Sequence, residues 1–306
     1  MVDPTTIFEI ERKKLISLSY RMLGDRSAAE DVAQETWLRW ATVDHSSIKK
    51  PSAWLRKVAT NISIDTLKSA RNKREIYVGP WLPEPIIPPE NDAGRDFELA
   101  QECRLALLWA MDRLNEYERA AFILREAFDA GYDEISQTLG KSEVACRQLV
   151  SRAHKRLHES GPRFDASQDE IQALIAKFFA AVAVQDHASA LQLFAPDAVG
   201  ITDGGRNVRA ARRILKGPND ILQVLFSVWQ KSSNDTNWST ELMIINGSPA
   251  LMWNVDDKLD SVLTLAPNEN GKIAWFYMMR NPDKLKVISF KRLMNLPAIA
   301  EIKRAT

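Results

Sequence analysis

A proline-rich break at residues 77–95 restricts the fold more than any other feature of the chain. The segment YVGPWLPEPIIPPENDAGR contains five prolines and two glycines. Proline lacks a backbone donor and fixes φ, so this stretch cannot continue a helix and favours extended, polyproline-type backbone. Its Trp81 and Ile86-Ile87 are too apolar for a fully solvated tether. We therefore predict a linker at residues 78–100, part of which packs on another surface of the protein.

Helical periodicity dominates residues 7–76, on the N-terminal side of the break. In AEDVAQETWLRW, a predicted buried stripe comprises Ala29, Val32, Ala33, Thr36, Trp37 and Trp40. The opposite face carries Asp31, Gln34, Glu35 and Leu38. In the next helix Pro51 suits the first turn, and the predicted core side comprises Leu55, Val58, Ala59 and Ile62. Another side of that helix carries Trp54, Lys57, Asn61, Lys68 and Arg71.

The segment EISQTLGKSEVACRQLVSRAHKRL, residues 134–157, predicts two short helices joined at Gly140, with Ser142 capping the second. The apolar stripe of the second helix comprises Cys146, Leu149, Val150, Ala153 and Leu157. Its other face carries Arg147, Gln148, Ser151, Arg152 and Lys155. Arginine and glutamine can bind base edges, and lysine suits phosphates. The segment alone fits either a DNA-binding helix-turn-helix or a helical hairpin with a solvated basic face.

The sequence pattern changes beyond Gly161-Pro162. A strongly helical run, IQALIAKFFAAVAVQDHASALQLF, precedes four strand-like runs at 241–247, 248–255, 260–267 and 272–280. Asn246-Gly247 and Asn270-Gly271 are turn signals between them. Helices followed by a meander predict a separate α+β domain. No two acids in this region stand out as a general acid and base, so we do not expect an enzyme.

Composition excludes several classes of protein. The formal net charge is only +1, so any DNA contact must come from local clustering of basic residues. Two cysteines without a CxxC pattern argue against a disulfide scaffold and a zinc site. The N-terminus lacks the apolar run of a signal peptide, and no stretch is long and apolar enough for a membrane span. We expect a cytoplasmic protein with no cofactor, no metal and no membrane partner.

The order of these motifs resembles a bacterial extracytoplasmic-function sigma factor. AEDVAQETWLRW is followed by AWLRKVATNISIDTLKSARNKRE, the linker, LNEYERAAFILREAF and YDEISQTLGKSEVACRQLVSRAHKRL. The resemblance covers nearly all of residues 7–159. It implies two all-α domains: a region 2 helical bundle at 1–77 and a region 4 helix-turn-helix at 101–161. Their implied partners are core RNA polymerase, through its β′ and β subunits, and the −10 and −35 elements of promoter DNA.

The resemblance also implies roles for specific residues. Region 2 would bind core polymerase through Asp31, Gln34, Glu35 and Leu38. It would hold the −10 element through Trp54, Lys57, Asn61, Lys68 and Arg71; Trp54 also fits a place in the core. Region 4 would bind the −35 element through Lys141, Ser142, Arg147, Gln148, Ser151, Arg152 and Lys155.

Two further motifs resemble the sigma-factor subgroup with a C-terminal SnoaL-like, NTF2-like extension: YVGPWLPEP and NPDKL at 281–285. The subgroup's DGGGK motif is replaced here by Asp203-Gly204-Gly205-Arg206-Asn207. The implied extension is an α+β cone at 166–290 that modulates sigma activity within the chain. The final run is basic and mildly amphipathic, which fits a solvated basic tail at 291–306 or one packed weakly against the body. The expected regulatory contacts are Trp81, Leu82, Pro83, Glu84, Pro85, Asp203, Gly204, Gly205, Arg206, Asn281, Pro282, Asp283, Lys284 and Leu285.

Two other functions fit parts of the sequence. One is a helix-turn-helix repressor or activator with a ligand-sensing C-terminal domain, which would not need the Asp31–Gln34–Glu35 face. The other is a small-molecule isomerase or hydrolase fused to a DNA-binding module. An unidentified small-molecule or protein effector of the C-terminal domain is left open, as is the sign of its control.

Overall fold

The computed structural model describes residues 3–74, 79–86, 104–159, 166–206, 208–233, 237–292 and 300–303. The chain forms two compact units. The helical unit combines residues 1–76 with 108–160, and the cone unit combines residues 77–107 with 161–306. The two predicted sigma domains therefore fall almost wholly in one unit, while residues 79–86 of the predicted linker group with the C-terminal domain.

The first half of the helical unit is a bundle of α1 (Pro4–Leu23), α2 (Arg26–Thr42) and α3 (Pro51–Arg74). Asp3 and Asp25 cap the first two helices, accepting from the backbone N–H of Thr6 and Ala28. The core-facing stripe of α2 is buried as predicted, except that Trp37 is half-buried. Trp40 is 1% exposed, and its indole Nε1 donates to the Pro4 carbonyl at 2.9 Å.

The second half comprises residues 108–111 of α4 (Leu105–Met111), together with α5 (Glu116–Phe128), α6 (Tyr132–Leu139) and α7 (Glu143–His158). Gly140 ends α6 with a left-handed φ of 63°, and Ser142 caps α7 by accepting from the Ala145 N–H. The predicted apolar stripe of α7 is buried throughout. Arg119 of α5 is fully buried and donates to the Arg21 carbonyl of α1 at 3.0 Å, so both halves pack into one unit.

The cone unit packs α8 (Gln168–Ala183), α9 (His187–Gln192) and α10 (Pro218–Ser233) on one face of a sheet. Within the described residues, the sheet has seven strands in the order β2-β1-β6-β5-β4-β3-β7. Their bounds are β1 (Phe194–Asp203), β2 (Leu215–Lys216), β3 (Trp238–Ile245), β4 (Ser248–Val255), β5 (Lys258–Pro267), β6 (Ile273–Met279) and β7 (Ala300–Lys303). Phe178 of α8 meets Phe194 and Phe276 in the core, with ring centroids 5.7 and 5.9 Å apart.

Three features of the cone differ from the sequence predictions. The four predicted strands are present, but β1 and β2 were not predicted; β1 pairs in parallel with β6, whereas the other pairs are antiparallel. Residues 300–303, within the expected basic tail, add strand β7 to the edge of β3 and pair with its backbone groups. Helix α11 (Pro282–Arg292), which begins within NPDKL, was not predicted.

Candidate nucleic-acid interface and linker contact

The face assigned to polymerase lies on α2. Asp31, Gln34 and Leu38 are exposed, and Leu38 keeps 53% of its surface accessible. Glu35 is half-buried and forms an i, i+4 pair with Arg39 at 2.9 Å. The buried side of the same helix supplies its stability, so this acidic face with one apolar residue remains available to a partner.

The residues assigned to the −10 element follow one side of α3. Lys57 and Lys68 are exposed, while Asn61 and Trp54 are half-buried. The Trp54 ring packs at 5.4 Å from Trp40, which agrees with a part in the core. Arg71 lies within α3, but its side chain is outside the described residues.

Lysines from the two candidate DNA surfaces meet at one tyrosine in the helical unit. The Nζ atoms of Lys68 and Lys141 lie 5.2 and 4.3 Å from the centre of the Tyr117 ring. Desolvation opposes the charged form of Lys68, but interactions with Tyr117, Asp65 and Glu116 leave its pKa raised. Both lysines therefore already have a partner within the chain.

The recognition-helix candidate α7 presents its predicted polar face. Arg147, Gln148, Ser151, Arg152 and Lys155 are all exposed. The Arg147 guanidinium pairs with Glu143 at 2.9 Å and lies 4.9 Å from the centre of the Tyr132 ring, which positions it before any DNA binds. Ser142 is exposed, but its hydroxyl is already the helix cap. On the buried face, desolvation raises the pKa of the Cys146 thiol.

The linker contact in the cone unit centres on a buried ion pair. Lys284 of α11 is 2.7 Å from the Asp203 carboxylate at the end of β1, and both residues are buried. The same carboxylate accepts the backbone N–H of Leu82 at 2.9 Å, and the Lys284 ammonium donates to the Leu82 carbonyl. The ammonium also lies 4.3 Å from the centre of the Trp81 ring. We call Trp81, Leu82, Asp203 and Lys284 the linker clasp.

A second contact holds the linker four residues further along. The side-chain oxygen of Asn246, in the turn between β3 and β4, accepts the Ile86 N–H at 2.8 Å. The Asn246 N–H donates to the Ile86 carbonyl, also at 2.8 Å. Leu82, Pro83, Pro85 and Ile86 are all buried, while Glu84 is half-buried. The prediction that part of the linker packs on another surface is therefore confirmed for residues 81–86; Ile87 lies outside the described residues.

The altered glycine motif retains the parts that pack closely. Asp203 accepts the Gly205 N–H at 3.0 Å. A Cβ on Gly205, whose φ is +60°, would lie 2.8 Å from the Asn281 side chain, and one on Gly204 would lie 2.4 Å from the Val208 carbonyl. Arg206 is exposed, and Asn207 lies outside the described residues. The contacts that this motif makes in the clasp thus come from Asp203 rather than from the substituted end of the motif.

The NPDKL segment is the start of a helix that places Lys284. The Asn281 side chain accepts the Asp283 N–H at 3.1 Å, and its carbonyl accepts the N–H groups of Lys284 and Leu285. Leu285 is 3% exposed, and Asp283 is exposed. Pro282 occupies the first helical position, which suits its fixed φ.

The sequence reading missed two contributors to this site. Asn246 was assigned only to a turn, although its amide binds the linker. Arg280, just before NPDKL, binds Asp260 through two nitrogens at 2.7 and 3.2 Å and donates its backbone N–H to the Asp203 carbonyl at 2.7 Å. The sequence indicated Arg280 only through its position directly before NPDKL, which was already identified as a motif.

The described ranges contain neither a candidate metal site nor a candidate membrane span. No cluster of three or more His, Cys, Asp or Glu side chains there is suited to a metal ion. No helix in those ranges combines the length and apolarity of a membrane span.

Comparisons with known proteins agree with the order of these elements. Residues 7–73 match the model of Sigma-70 region 2, and residues 104–157 match that of Sigma-70 region 4. The ECF RNA polymerase sigma factor SigJ of Mycobacterium tuberculosis is 30% identical over 90% of this chain and 91% of its own length. The probable ECF sigma factor SigI of the same species is 28% identical over 92% and 95%.

The crystal structure of SigJ matches the whole architecture, with a TM-score of 0.71 and 26% identity over 92% of this chain and 98% of that one. The C-terminal domain accordingly has the expected SnoaL-like, NTF2-like α+β fold. Both relatives are named as ECF RNA polymerase sigma factors. The chain belongs to the extracytoplasmic-function sigma factors, which bind core RNA polymerase and direct transcription initiation at promoters.

Proposed function

We propose that the cone unit controls this sigma factor in cis by holding the linker between its two sigma domains. The linker clasp is the observation that carries the proposal. It ties residues 81–82 to β1 and α11 through a buried ion pair and backbone hydrogen bonds. A linker that is held offers a shorter free path between region 2 and region 4 than a linker that is released. Holding and release therefore define two states with different promoter-binding capacity.

The proposal assigns the exposed helical surfaces to separate partners. The α2 face with Asp31, Gln34, Glu35 and Leu38 binds core polymerase at its β′ and β subunits. The α3 face with Trp54, Lys57, Asn61, Lys68 and Arg71 binds the −10 element. The α7 face binds the −35 element, with Arg147 and Gln148 at base edges and Lys141 and Lys155 at phosphates. Because core polymerase is in the cytoplasm, we place the protein there.

Run-off transcription tests the cis control. Core polymerase, the full chain and DNA from upstream of its gene would be compared with the Trp81→Leu variant. This substitution removes the cation–π contact with Lys284 without leaving a buried charge alone. We expect transcript yield to change by about threefold or more, since such contacts are worth about 1–2 kcal/mol when desolvated. Either direction of change supports control through the linker and establishes its sign.

The matched control is Lys286→Met, which changes an exposed lysine on the same helix α11 as Lys284. It should leave transcript yield unchanged. Unchanged yield from Trp81→Leu, with equal binding to core polymerase, would contradict the proposal. A full chain that neither initiates transcripts nor co-purifies with core polymerase would instead favour a helix-turn-helix repressor.

The promoter surface is tested separately by Arg147→Ala. The exposed guanidinium has no role in the core, so binding to core polymerase should remain. Loss of one bidentate base contact costs about 1–3 kcal/mol, which predicts promoter binding roughly tenfold weaker. Unchanged promoter output at equal core affinity would remove Arg147 from the reading face.

A further inference from the structure

The segment that connects β1 to β2 and enters β2 carries a concentration of positive charge that the linker clasp does not use. Between Asp203 and Asp220 the sequence contains no acidic residue, but it contains four arginines and one lysine: Arg206, Arg209, Arg212, Arg213 and Lys216. All five residues are exposed. The formal charge of the whole chain is only +1, so this is a strong local excess. We call residues 206–216 the basic segment.

Most of this charge is not compensated by a carboxylate. Arg213 binds Asp220, with one guanidinium nitrogen 2.6 Å from the carboxylate. The other four cations form no ion pair among the described residues: Arg206, Arg209, Arg212 and Lys216. In the helical unit, by contrast, Arg39 and Arg147 each pair with a glutamate four residues earlier, at 2.9 Å. Like charges that are close together repel one another, so a polyanion that neutralises them binds favourably.

Hydrogen bonds to the backbone hold the basic segment in a defined conformation. The Thr202 hydroxyl donates to the Ala211 carbonyl at 3.2 Å and accepts the N–H of the same residue at 2.8 Å. The Arg280 guanidinium donates to the Arg209 carbonyl at 2.9 Å. These bonds use backbone atoms of the segment, so its arginine side chains stay available to a partner. A surface that is already ordered loses less conformational entropy when it binds.

The size of the segment suits several phosphates of one duplex. An extended chain spans at most about 3.5 Å per residue, so the Cα atoms of Arg206 and Arg212 are no more than about 21 Å apart. DNA advances 3.4 Å per base pair, so that distance corresponds to about six base pairs. The planar guanidinium group can bind a phosphate through two nitrogens, which favours arginine for this contact.

The composition of the segment favours duplex DNA over other polyanions. Proteins bind single-stranded nucleic acids by stacking bases on aromatic side chains, and the segment contains no aromatic residue. Binding to a lipid surface needs an apolar face beside the cations. Among the described residues of the segment, Ile214 is the one large apolar side chain that is exposed. Because sigma factors act at promoters, duplex DNA is a polyanion that this chain meets in its established activity.

We propose that the basic segment binds the phosphate backbone of duplex DNA. This contact is additional to the DNA surfaces assigned to α3 and α7, and it does not depend on the proposed control through the linker. Phosphate contacts carry no sequence information, so the segment increases affinity for DNA without changing which promoter is recognised. Binding releases counterions from the DNA, so the contribution of the segment decreases as the salt concentration rises.

Binding of the full chain to DNA at several salt concentrations tests the inference. The variant Arg209→Gln, Arg212→Gln removes two cations and retains long, polar side chains. If both arginines bind phosphates, the slope of log affinity against log salt should become less steep by about 2. Affinity at about 0.1 M salt should fall about tenfold or more. The loss should be equal on a promoter duplex and on a scrambled duplex of the same length, because the contact is independent of sequence.

The matched control is Lys177→Gln, Lys272→Gln, which removes the same charge from exposed positions of the same unit. Lys272 directly precedes Ile273, which pairs with Phe194 at the start of β1, whereas the basic segment follows the end of β1. The control variant should leave the salt slope unchanged. Equal changes in both double variants would indicate a general effect of net charge and would overturn the inference.

Other outcomes identify a different partner or none. Unchanged DNA binding by the folded variant Arg209→Gln, Arg212→Gln would overturn the inference. If that variant instead lost binding to core polymerase, the segment would bind a protein. If it lost binding to vesicles of phosphatidylcholine and phosphatidylserine, the segment would bind a lipid surface. The proposed cis control is judged separately, because Trp81→Leu leaves all five cations in place.

Discussion

The helical unit and the cone unit carry their candidate functional residues in opposite environments. On α2 and α7, residues such as Gln34, Leu38, Arg147 and Gln148 are exposed. The contacts of Arg147 within the chain are a surface ion pair with Glu143 and a ring contact with Tyr132. In the cone, Asp203 and Lys284 are buried, and each has several partners within the chain. The first arrangement suits partners from outside the chain, and the second suits a partner that is part of the chain.

This difference predicts different costs of substitution. An exposed residue can change with little effect on folding, since most surface substitutions fall within about 0.5 kcal/mol. A buried charge cannot, because removal of its partner leaves it without compensation in a medium of low dielectric constant. Substitutions on the helical surfaces should therefore change function with little change in stability, whereas substitutions in the linker clasp should change both.

Lys284→Met should have the largest effect on stability. It leaves the Asp203 carboxylate buried without its cation, which typically costs about 3–5 kcal/mol. Hydrogen exchange followed by mass spectrometry would resolve the two units. We expect faster exchange in β1, β6 and α11 and little change in α5–α7. Lys286→Met is the matched control.

The double variant Asp203→Asn, Lys284→Met distinguishes an uncompensated charge from lost packing. Its effect should be smaller than the sum of the single effects, because no charge is left buried alone. If the stability losses of the two single variants simply add, the clasp is energetically equivalent to a surface pair. The same holds if Lys284→Met costs no more stability than Lys286→Met.

The clasp also shows where prediction from sequence stopped. The apolar stripe of α7, the Ser142 cap and strands β3–β6 were predictable because their signals are local: helical spacing, a capping residue and turns between strand-like runs. Burial of Lys284 has no local signal, since lysine is rarely buried. The contact of Asn246 with Ile86 spans 160 residues and was not visible in either segment alone.

Strand β1 was missed for a related reason. Its sequence FAPDAVGITD contains Pro196 and Asp197 at exposed positions, which interrupt strand periodicity. It pairs in parallel with β6, a neighbour distant in the chain, and its register shifts between Phe194 and Val199. Among the site residues, the exposed face of α2 followed from helical spacing, but the shared contact of Lys68 and Lys141 with Tyr117 did not.

Ser142→Ala should have an intermediate effect, confined to the helical unit. Loss of a serine cap costs about 1 kcal/mol. Ser151→Ala on the exposed face of the same helix is the control and should cost less than about 0.5 kcal/mol. Thermal unfolding of both variants would be compared with their promoter binding. Equal stability of the two variants would show that the Ser142 hydroxyl matters for DNA only.

Glu134→Gln tests how firmly region 2 is held to region 4 inside the helical unit. Glu134 pairs with Arg56 of α3 at 2.8 Å, and both side chains are about a quarter exposed. Such a pair is worth at most about 1 kcal/mol. Urea unfolding should show that Glu134→Gln lowers the free energy of unfolding. This loss should be smaller at about 1 M salt than at about 0.01 M salt, because salt screens the charges of the pair.

Glu126→Gln is the control for that experiment, since Glu126 pairs with His154 within region 4. Only Glu134→Gln should increase hydrogen exchange at the facing parts of α3 and α6. A loss well above 1 kcal/mol would mean that the two regions are fixed together.

The smallest effect is expected from Asp220, a partly exposed residue of the cone that, unlike Asp203, is near the surface. The Arg213 guanidinium, 2.6 Å from its carboxylate, lowers the pKa of Asp220. A lowered folded-state pKa contributes stability above the unfolded value of about 3.9, and this is lost as pH falls through the folded value. Asp220→Asn should therefore reduce the pH dependence of stability below about pH 4, by less than about 1 kcal/mol. Acid titration of the Asp220→Asn and Asp257→Asn variants, followed by hydrogen exchange in α10, would measure it. If Asp220→Asn changed stability as much as Lys284→Met, the distinction between surface and buried charge within the cone would be contradicted. If the acid titrations of both variants were identical, the pair of Asp220 with Arg213 would contribute nothing measurable.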